Sequence, residues 1–251
     1  MLHNIGEPYR ERKMILNYDR KRILQGSHCF STALSRITNY YTNMNVTEDM
    51  VFGLASGLDF MYRRENDAIC LNGRASDIEK KYASCMGISF KQVSSPSFNQ
   101  FIIDVIEHLK NKEWILLYLD ASELPYINLG LDMQDVGMMS EHAGILCGVD
   151  EEKEVFYVLD YMLAHDAEVS YEQLRKALYN DSPKQFSEER TECIKNTYGV
   201  FHFSTSSTPK NIAVYSAIES NCNHILHPTS KYQGLIGLKY LVHCLKVISL
   251  K

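Results

Sequence analysis

Three short apolar segments near the middle of the chain constrain its fold more than any other feature. They span residues 114–119, 142–149 and 155–160. Each is a continuous apolar run of strand length, which favours a buried β-strand over a helix. A charged turn at residues 150–154 separates the last two runs. The sequence therefore predicts that these two strands form an antiparallel hairpin.

The segments around these strands carry the spacing and the start signals of helices. Helix N-caps are predicted at Thr47, Ser76, Ser97 and Ser170. Two more helices are predicted at 212–221 and 235–248, with a strand near 200–203. Helices, then strands, then helices again predict an α+β fold. We expect residues 1–165 to form the core and residues 166–251 a helical and strand extension packed on it.

Composition excludes several classes of protein. The 251 residues are 45% hydrophobic and 23% charged, which is ordinary for a globular domain. The sequence has no apolar run long enough to predict a membrane span, and residues 1–13 lack the apolar centre of a signal peptide. The seven cysteines are scattered without a CxxC pair, which argues against a disulfide framework and a metal site. A cytoplasmic protein is expected, and the net charge of −5 argues against nucleic-acid binding.

The segment 25–34 places a cysteine where a helix begins. Gly26 and Ser27 form a turn, and apolar residues recur at helical spacing from Cys29 onward. The partial positive charge of a helix N-terminus favours the thiolate form of such a cysteine, which is the nucleophilic form. The alternative is that Cys29 simply packs in the interior, as cysteines commonly do.

The predicted hairpin brings a histidine and an aspartate to the same face of the sheet. If Val149 faces Lys153, then His142 faces Asp160; if Val149 faces Val155, Asp160 is a diagonal neighbour of His142. In both registers the two β-carbons lie about 4.5–8 Å apart. A carboxylate at that distance can orient an imidazole and support its action as a base.

A cysteine at a helix start, followed by a histidine and an aspartate on a later hairpin, is the arrangement of a Cys-His-Asp triad. Cys29 would be the nucleophile, His142 the base and Asp160 its orienting group. The backbone N–H of Cys29 and the side chain of Gln25 are the candidate oxyanion donors. The alternatives are a histidine in a structural hydrogen-bond network and an aspartate that only ends a strand.

Several segments resemble the butirosin-biosynthesis acyltransferase family. They are 28–34, 48–58, the pair Gly73-Arg74, 119–126 ahead of the His142 strand and, less strongly, 231–238 near the C-terminus. The resemblance implies a papain-like fold with residues 1–165 as catalytic core. It also implies an enzyme that moves an acyl chain from a carrier protein to an amine. A related papain-like enzyme, closthioamide synthase, joins carrier-bound acyl chains to a diamine.

The activity that this resemblance implies is amide formation from a thioester on the phosphopantetheine arm of an acyl or peptidyl carrier protein. No resident cofactor is expected, and the acceptor is a small amine. Tyr126, Asp59 and Tyr62 are candidate substrate-binding residues, although Tyr62 also fits a packing role. The loop 120–139 is a candidate cover for the pocket.

Two further features of the sequence leave the function open. The basic cluster between Arg10 and Arg22 is either a docking patch for an acidic carrier protein or solvated surface. Bacteriocin-processing cysteine peptidases share the histidine strand followed by a strand that ends in aspartate. A cysteine peptidase or amidohydrolase is therefore an alternative, and a non-catalytic binding module is another.

Overall fold

The computed structural model describes residues 14–18, 23–65, 68–75, 77–127, 142–178, 196–204 and 211–248. The described elements combine helices with antiparallel strands, which confirms the predicted α+β fold. In chain order they are β1 (Met14–Leu16), α1 (Cys29–Tyr41), α2 (Glu48–Leu54), β2 (Leu58–Glu65), β3 (Ala68–Arg74), α3 (Ile78–Met86), β4 (Ser89–Ser94), α4 (Phe98–Lys110), β5 (Ile115–Leu119), a 3-10 helix (Ala121–Glu123), β6 (His142–Asp150), β7 (Val155–Leu159), β8 (Ala167–Ser170), α5 (Tyr171–Leu178), β9 (Thr197–His202), α6 (Asn211–Leu226) and α7 (Gly234–Ile248).

The chain forms two compact units, and each is built from two separate chain segments. The first unit comprises Met1–Leu24 and Ser94–Tyr198, and the second comprises Gln25–Val93 and Gly199–Lys251. The predicted core of residues 1–165 and extension of residues 166–251 is a division along the sequence. The two units are defined by contacts and not by successive stretches of chain, so they do not test this division. The division at residue 165 stays a prediction.

The first unit is organised around β6, all nine residues of which are buried. Antiparallel pairs give the strand order β5-β6-β7-β8, and β1 pairs with the C-terminal half of β6. Helix α4 packs against β6 and β1, and its buried side chains recur at helical spacing. This repeat gives α4 one apolar face, which covers the sheet. The three apolar runs of the sequence are thus interior strands.

The β6–β7 hairpin contains a bulge that the sequence did not reveal. Val149 faces Phe156 near the turn, whereas Ile145 faces Leu159 beyond the bulge. Both predicted registers are therefore wrong at the turn, and the register that made Asp160 a diagonal neighbour of His142 holds only beyond the bulge. A β-carbon on Gly148, at the bulge, would lie 2.7 Å from the carbonyl oxygen of Ile15 on β1. Glycine at this position therefore permits the close approach of β1.

The second unit packs helices α1, α2, α3, α6 and α7 with the antiparallel β2–β3 ribbon. The buried face of α1 contributes Phe30, Ala33, Leu34 and Ile37 to the core. The side chain of Asn221 on α6 accepts a hydrogen bond from the backbone of Leu58 and donates to the carbonyl of Gly53. This one amide therefore joins α6 to both α2 and β2.

Three of the four predicted helix caps are present. Thr47 and Ser97 accept hydrogen bonds from the third residue of their helices, and Ser170 forms a reciprocal capping box with Gln173. At α3 the cap is Asp77, in the left-handed conformation and without a side-chain cap bond. The predicted cap, Ser76, lies outside the described residues.

Candidate active site

The first unit brings His142 and Asp160 together. His142 begins β6, and Asp160 directly follows the last residue of β7. Both side chains are buried, and Nε2 of His142 is hydrogen-bonded to Oδ2 of Asp160. Because a carboxylate only accepts, the imidazole donates from Nε2. In the neutral ring the lone pair is then on Nδ1, so Nδ1 is the nitrogen that can accept a proton.

Two further donors hold the Asp160 carboxylate. The hydroxyl of Tyr126 donates to Oδ2 at 3.0 Å, and the backbone N–H of Met162 donates to Oδ1 at 3.1 Å. Fixed donors of this kind stabilise a buried charge and prevent the carboxylate from rotating. The orientation of the His142 ring is thereby determined by the fold.

Tyr126 was predicted to bind substrate, and the structure gives it a contact with Asp160. Burial, followed by the charge of Asp160 and its hydrogen bond, raises the pKa of Tyr126 well above its ordinary value. The hydroxyl therefore stays protonated and remains a donor to Asp160. Substrate binding by Tyr126 stays a prediction, to which the structure adds a positioning contact that the sequence did not indicate.

The second unit places Cys29 as the first residue of α1, as the sequence predicted. The thiol is half-buried. His28 is the N-cap, and its Nδ1 accepts from the backbone N–H of Ser31. The imidazole next to the candidate nucleophile is therefore part of the helix cap. A turn followed by an apolar repeat predicted the helix start, but histidine is not a residue whose type indicates a cap.

Glu48, near the candidate nucleophile, has a role that the sequence did not indicate. Its carboxylate accepts from the backbone N–H of Ser27 at 2.9 Å and from the hydroxyl of Ser31 at 3.1 Å. These donors lie on either side of Cys29 in the chain. A first-turn acid on α2 is expected from helix electrostatics alone, so only the tertiary packing shows that Glu48 also holds the start of α1.

Two other contacts determine the conformation at the start of α1. A β-carbon on Gly26 would lie 2.0 Å from Oγ1 of Thr32, so only glycine fits against the first turn. The guanidinium of Arg74 lies 5.2 Å from the centre of the Phe30 ring, a cation–π contact. Gly26 and Arg74 thus have structural reasons to occur near Cys29.

The other predicted site residues of the second unit differ in their exposure and in their contacts. Gln25 is exposed four residues before Cys29. Asp59 is half-buried on β2, and its carboxylate accepts from the backbone N–H of Phe60. Tyr62 is buried against the rings of Tyr232 and Tyr240. Burial, and then Cys244, raises the pKa of Tyr62 to about 12. These contacts fit the packing role that the sequence also allowed, and substrate binding by Tyr62 stays a prediction.

Parts of the predicted site lie outside the described residues. These parts are the basic cluster between Arg10 and Arg22, and residues 128–139 of the candidate cover loop. Within the described ranges, no three potential metal ligands cluster together. No helix of the described chain is long and apolar enough to cross a bilayer.

The α+β frame, a cysteine at a helix start and a histidine–aspartate pair on neighbouring strands define the class of papain-like cysteine folds. A family model described as "Butirosin biosynthesis protein H, N-terminal" matches residues 28–161. The chain belongs to this family, because the match covers more than half of it. The matched range includes Cys29, His142 and Asp160.

A solved structure supports the assignment of the fold. The crystal structure of a protein described as a C39-like peptidase from Bacillus anthracis aligns with a TM-score of 0.50 and 14% sequence identity. The alignment covers 76% of this chain and 98% of that chain. At this identity the similarity shows the fold, which is papain-like. No curated protein matches the sequence.

Proposed function

We propose that the protein is an acyltransferase that forms an amide. It takes an acyl chain from a carrier-protein thioester and passes it, through Cys29, to an amine. The observation that carries this proposal is the buried hydrogen-bonded set of His142, Asp160 and Tyr126, because it orients one imidazole for proton transfer. Membership of a family named for butirosin biosynthesis supports amide formation rather than amide cleavage.

The first step transfers the acyl group to the protein. The Cys29 thiol gives its proton to Nδ1 of His142. The resulting thiolate attacks the thioester carbonyl and forms a tetrahedral intermediate. The carbon–sulfur bond to the phosphopantetheine arm then breaks, and the departing thiolate takes the proton from His142. Asp160 stabilises the positive charge that His142 carries between these events. The pairing of Cys29 with His142 comes from the sequence and is part of the proposal.

The second step releases the product. The nitrogen of the acceptor amine attacks the acyl-enzyme carbonyl, and His142 takes a proton from that nitrogen. The bond between the carbonyl carbon and the sulfur of Cys29 then breaks, and the departing thiolate takes that proton back from His142, which completes the amide and regenerates the Cys29 thiol. The backbone N–H of Cys29 and the amide of Gln25 are proposed to stabilise the oxyanion in both steps.

Selection of an amine over water is the main demand on such an enzyme. A thioester is already activated, so an open site would hydrolyse it. We propose that Tyr126, Asp59 and Tyr62 line the acceptor region. The phosphopantetheine arm arrives as part of the substrate and is not a resident cofactor.

Intact-mass spectrometry with an acyl thioester tests the proposal. The wild-type protein should gain the mass of the acyl group and lose it when an amine is added. Cys29→Ala should gain nothing, whereas Cys222→Ala, which removes an exposed thiol on α6, should behave as the wild type. The absence of any adduct at Cys29 with activated thioesters contradicts the mechanism.

The same samples separate the alternatives. A cysteine peptidase or amidohydrolase cleaves amides without an acceptor amine, and its adduct is released by water. A non-catalytic binding module leaves Cys29 with the reactivity of an ordinary thiol, and Cys29→Ser then changes nothing. The papain-like frame is compatible with all three activities, so only the chemistry of Cys29 distinguishes them.

A further inference from the structure

Helix α7 presents an apolar stripe that stays partly exposed in the described part of the second unit. The side that faces the core comprises Gly234, Gly237, Leu241 and the half-buried Cys244. On the adjoining side, Leu235, Leu238, Val242 and Leu245 are each between 40% and 47% exposed. Their spacing of three, four and three residues is that of a seam that receives another helix.

A basic row borders this stripe. Lys239, His243 and Lys246 are exposed, and α7 contains no acidic residue from Gly234 to Ile248. At about 100° per residue, the apolar stripe spans about 80° of the helix and the basic row begins about 20° beyond it. We call these seven residues the α7 face.

Helix α7 is held against β2 by an aromatic cluster. The ring of Tyr240 stacks on Tyr62 with centres 5.9 Å apart and meets Tyr232 edge-on at 5.7 Å. The backbone N–H of Tyr62 on β2 also donates to the carbonyl of Tyr232. A surface fixed in this way needs little ordering when a partner binds, which favours affinity.

Charge determines which partner fits. A second copy would place its basic row against a surface of the same sign, which opposes pairing through two α7 faces. A partner helix that carries apolar residues beside acidic ones would pack on the apolar stripe and pair with the basic row. We propose that the α7 face docks an acidic amphipathic helix of the carrier protein that delivers the thioester. The docking of this partner rests on the proposed function, whereas the chemistry of the surface does not.

Binding of a fluorophore-labelled holo acyl carrier protein with an acidic surface helix, followed by anisotropy, tests this inference. Leu238→Asp and Lys239→Glu should each weaken binding about tenfold or more. The matched controls are Ile103→Asp on α4 and Lys91→Glu on β4, both at exposed positions. The controls should stay within about twofold of the wild type. Added salt should weaken binding by the wild type more than by Lys239→Glu.

A small donor separates docking from chemistry. An acyl N-acetylcysteamine thioester lacks a protein partner, so it should load Cys29 equally in the wild type and in both α7 variants. That result also shows that the variants are folded. If the wild type binds the carrier protein but is not loaded by the small donor, docking holds and the proposed function fails.

Three results overturn the inference. The first is carrier binding that is absent or equal in the wild type and both α7 variants. The second is a dimer, detected by light scattering, that Leu238→Asp disrupts. The third is sedimentation with phosphatidylglycerol vesicles that Leu238→Asp abolishes. The last two outcomes assign the α7 face to a second copy or to a lipid surface.

Discussion

The two candidate catalytic regions are stabilised in different ways. Asp160 lies in the interior of the first unit, where His142, Tyr126 and the backbone of Met162 are all bonded to its carboxylate. Glu48 lies half-buried in the second unit and holds the start of α1 through Ser27 and Ser31. The candidate acid–base pair is therefore part of a sheet core, whereas the candidate nucleophile depends on a helix cap near solvent.

This difference predicts different costs of mutation. Removal of a buried carboxylate leaves several donors without an acceptor, so stability and activity should fall together. Removal of the half-buried Glu48 carboxylate leaves the N–H of the exposed Ser27 to water, and the hydroxyl of the buried Ser31 keeps a second acceptor in the carbonyl of His28. Activity should then fall with little loss of stability.

Asp160→Asn should have the largest effect. The amide keeps the shape of the side chain but no longer carries the negative charge that orients and stabilises protonated His142. We expect acyl transfer to slow by about 10³–10⁴-fold. Steady-state kinetics with a thioester and an amine, together with a thermal melt, measure both consequences. Activity within a few-fold of the wild type would separate Asp160 from the chemistry.

Glu48→Ala should have an intermediate effect. Loss of the acceptor for Ser27 and Ser31 loosens the start of α1, so we expect acyl-enzyme formation to slow about tenfold. The free energy of unfolding should fall by about 1 kcal/mol. Asp49→Ala, at the exposed next position of the same helix turn, is the control and should leave the rate unchanged. Equal effects of the two variants would indicate only a change in local charge.

Tyr126→Phe should have the smallest effect at neutral pH, a few-fold loss of activity as Asp160 loses one donor. The stability of this variant should differ from that of the wild type mainly at alkaline pH. The folded pKa of Tyr126 is raised above the unfolded value of 10.0, so the unfolded chain releases this proton first. The stability that this group contributes is thus complete below pH 10.0 and is lost above it. Denaturant titrations should show a smaller alkaline loss for Tyr126→Phe than for the wild type.

The main strands and the residues of the candidate acid–base pair could be predicted from sequence. Continuous apolar runs predicted β5, β6 and β7, because a strand buried on both faces needs no polar alternation. The predicted proximity of His142 to Asp160 was correct although the predicted register was not, since either predicted pairing kept the two side chains on one face. The bulge in β6 was not predictable, since it depends on the close approach of β1 to Gly148.

Other parts of the site depended on tertiary contacts. Nothing in the local sequence indicates that the Tyr126 hydroxyl meets a carboxylate 34 residues later in the chain. Glu48 was visible only as a favourable first-turn acid, although its carboxylate also holds Ser27 and Ser31. Strands β1 to β4 and β8 were not predicted. Those whose side chains are all described, β1, β4 and β8, are mixed or largely exposed and give a weaker apolar signal than β6.

Alkylation of Cys29 tests the central claim most directly, namely that His142 and Asp160 activate this thiol. Limiting iodoacetamide at neutral pH, with peptides quantified by mass spectrometry, gives the rate at Cys29 and at the exposed Cys222 in one sample. His142→Ala should slow the reaction of Cys29 about tenfold or more and leave Cys222 unchanged. Equal rates at Cys29 in the wild type and in His142→Ala would contradict the account.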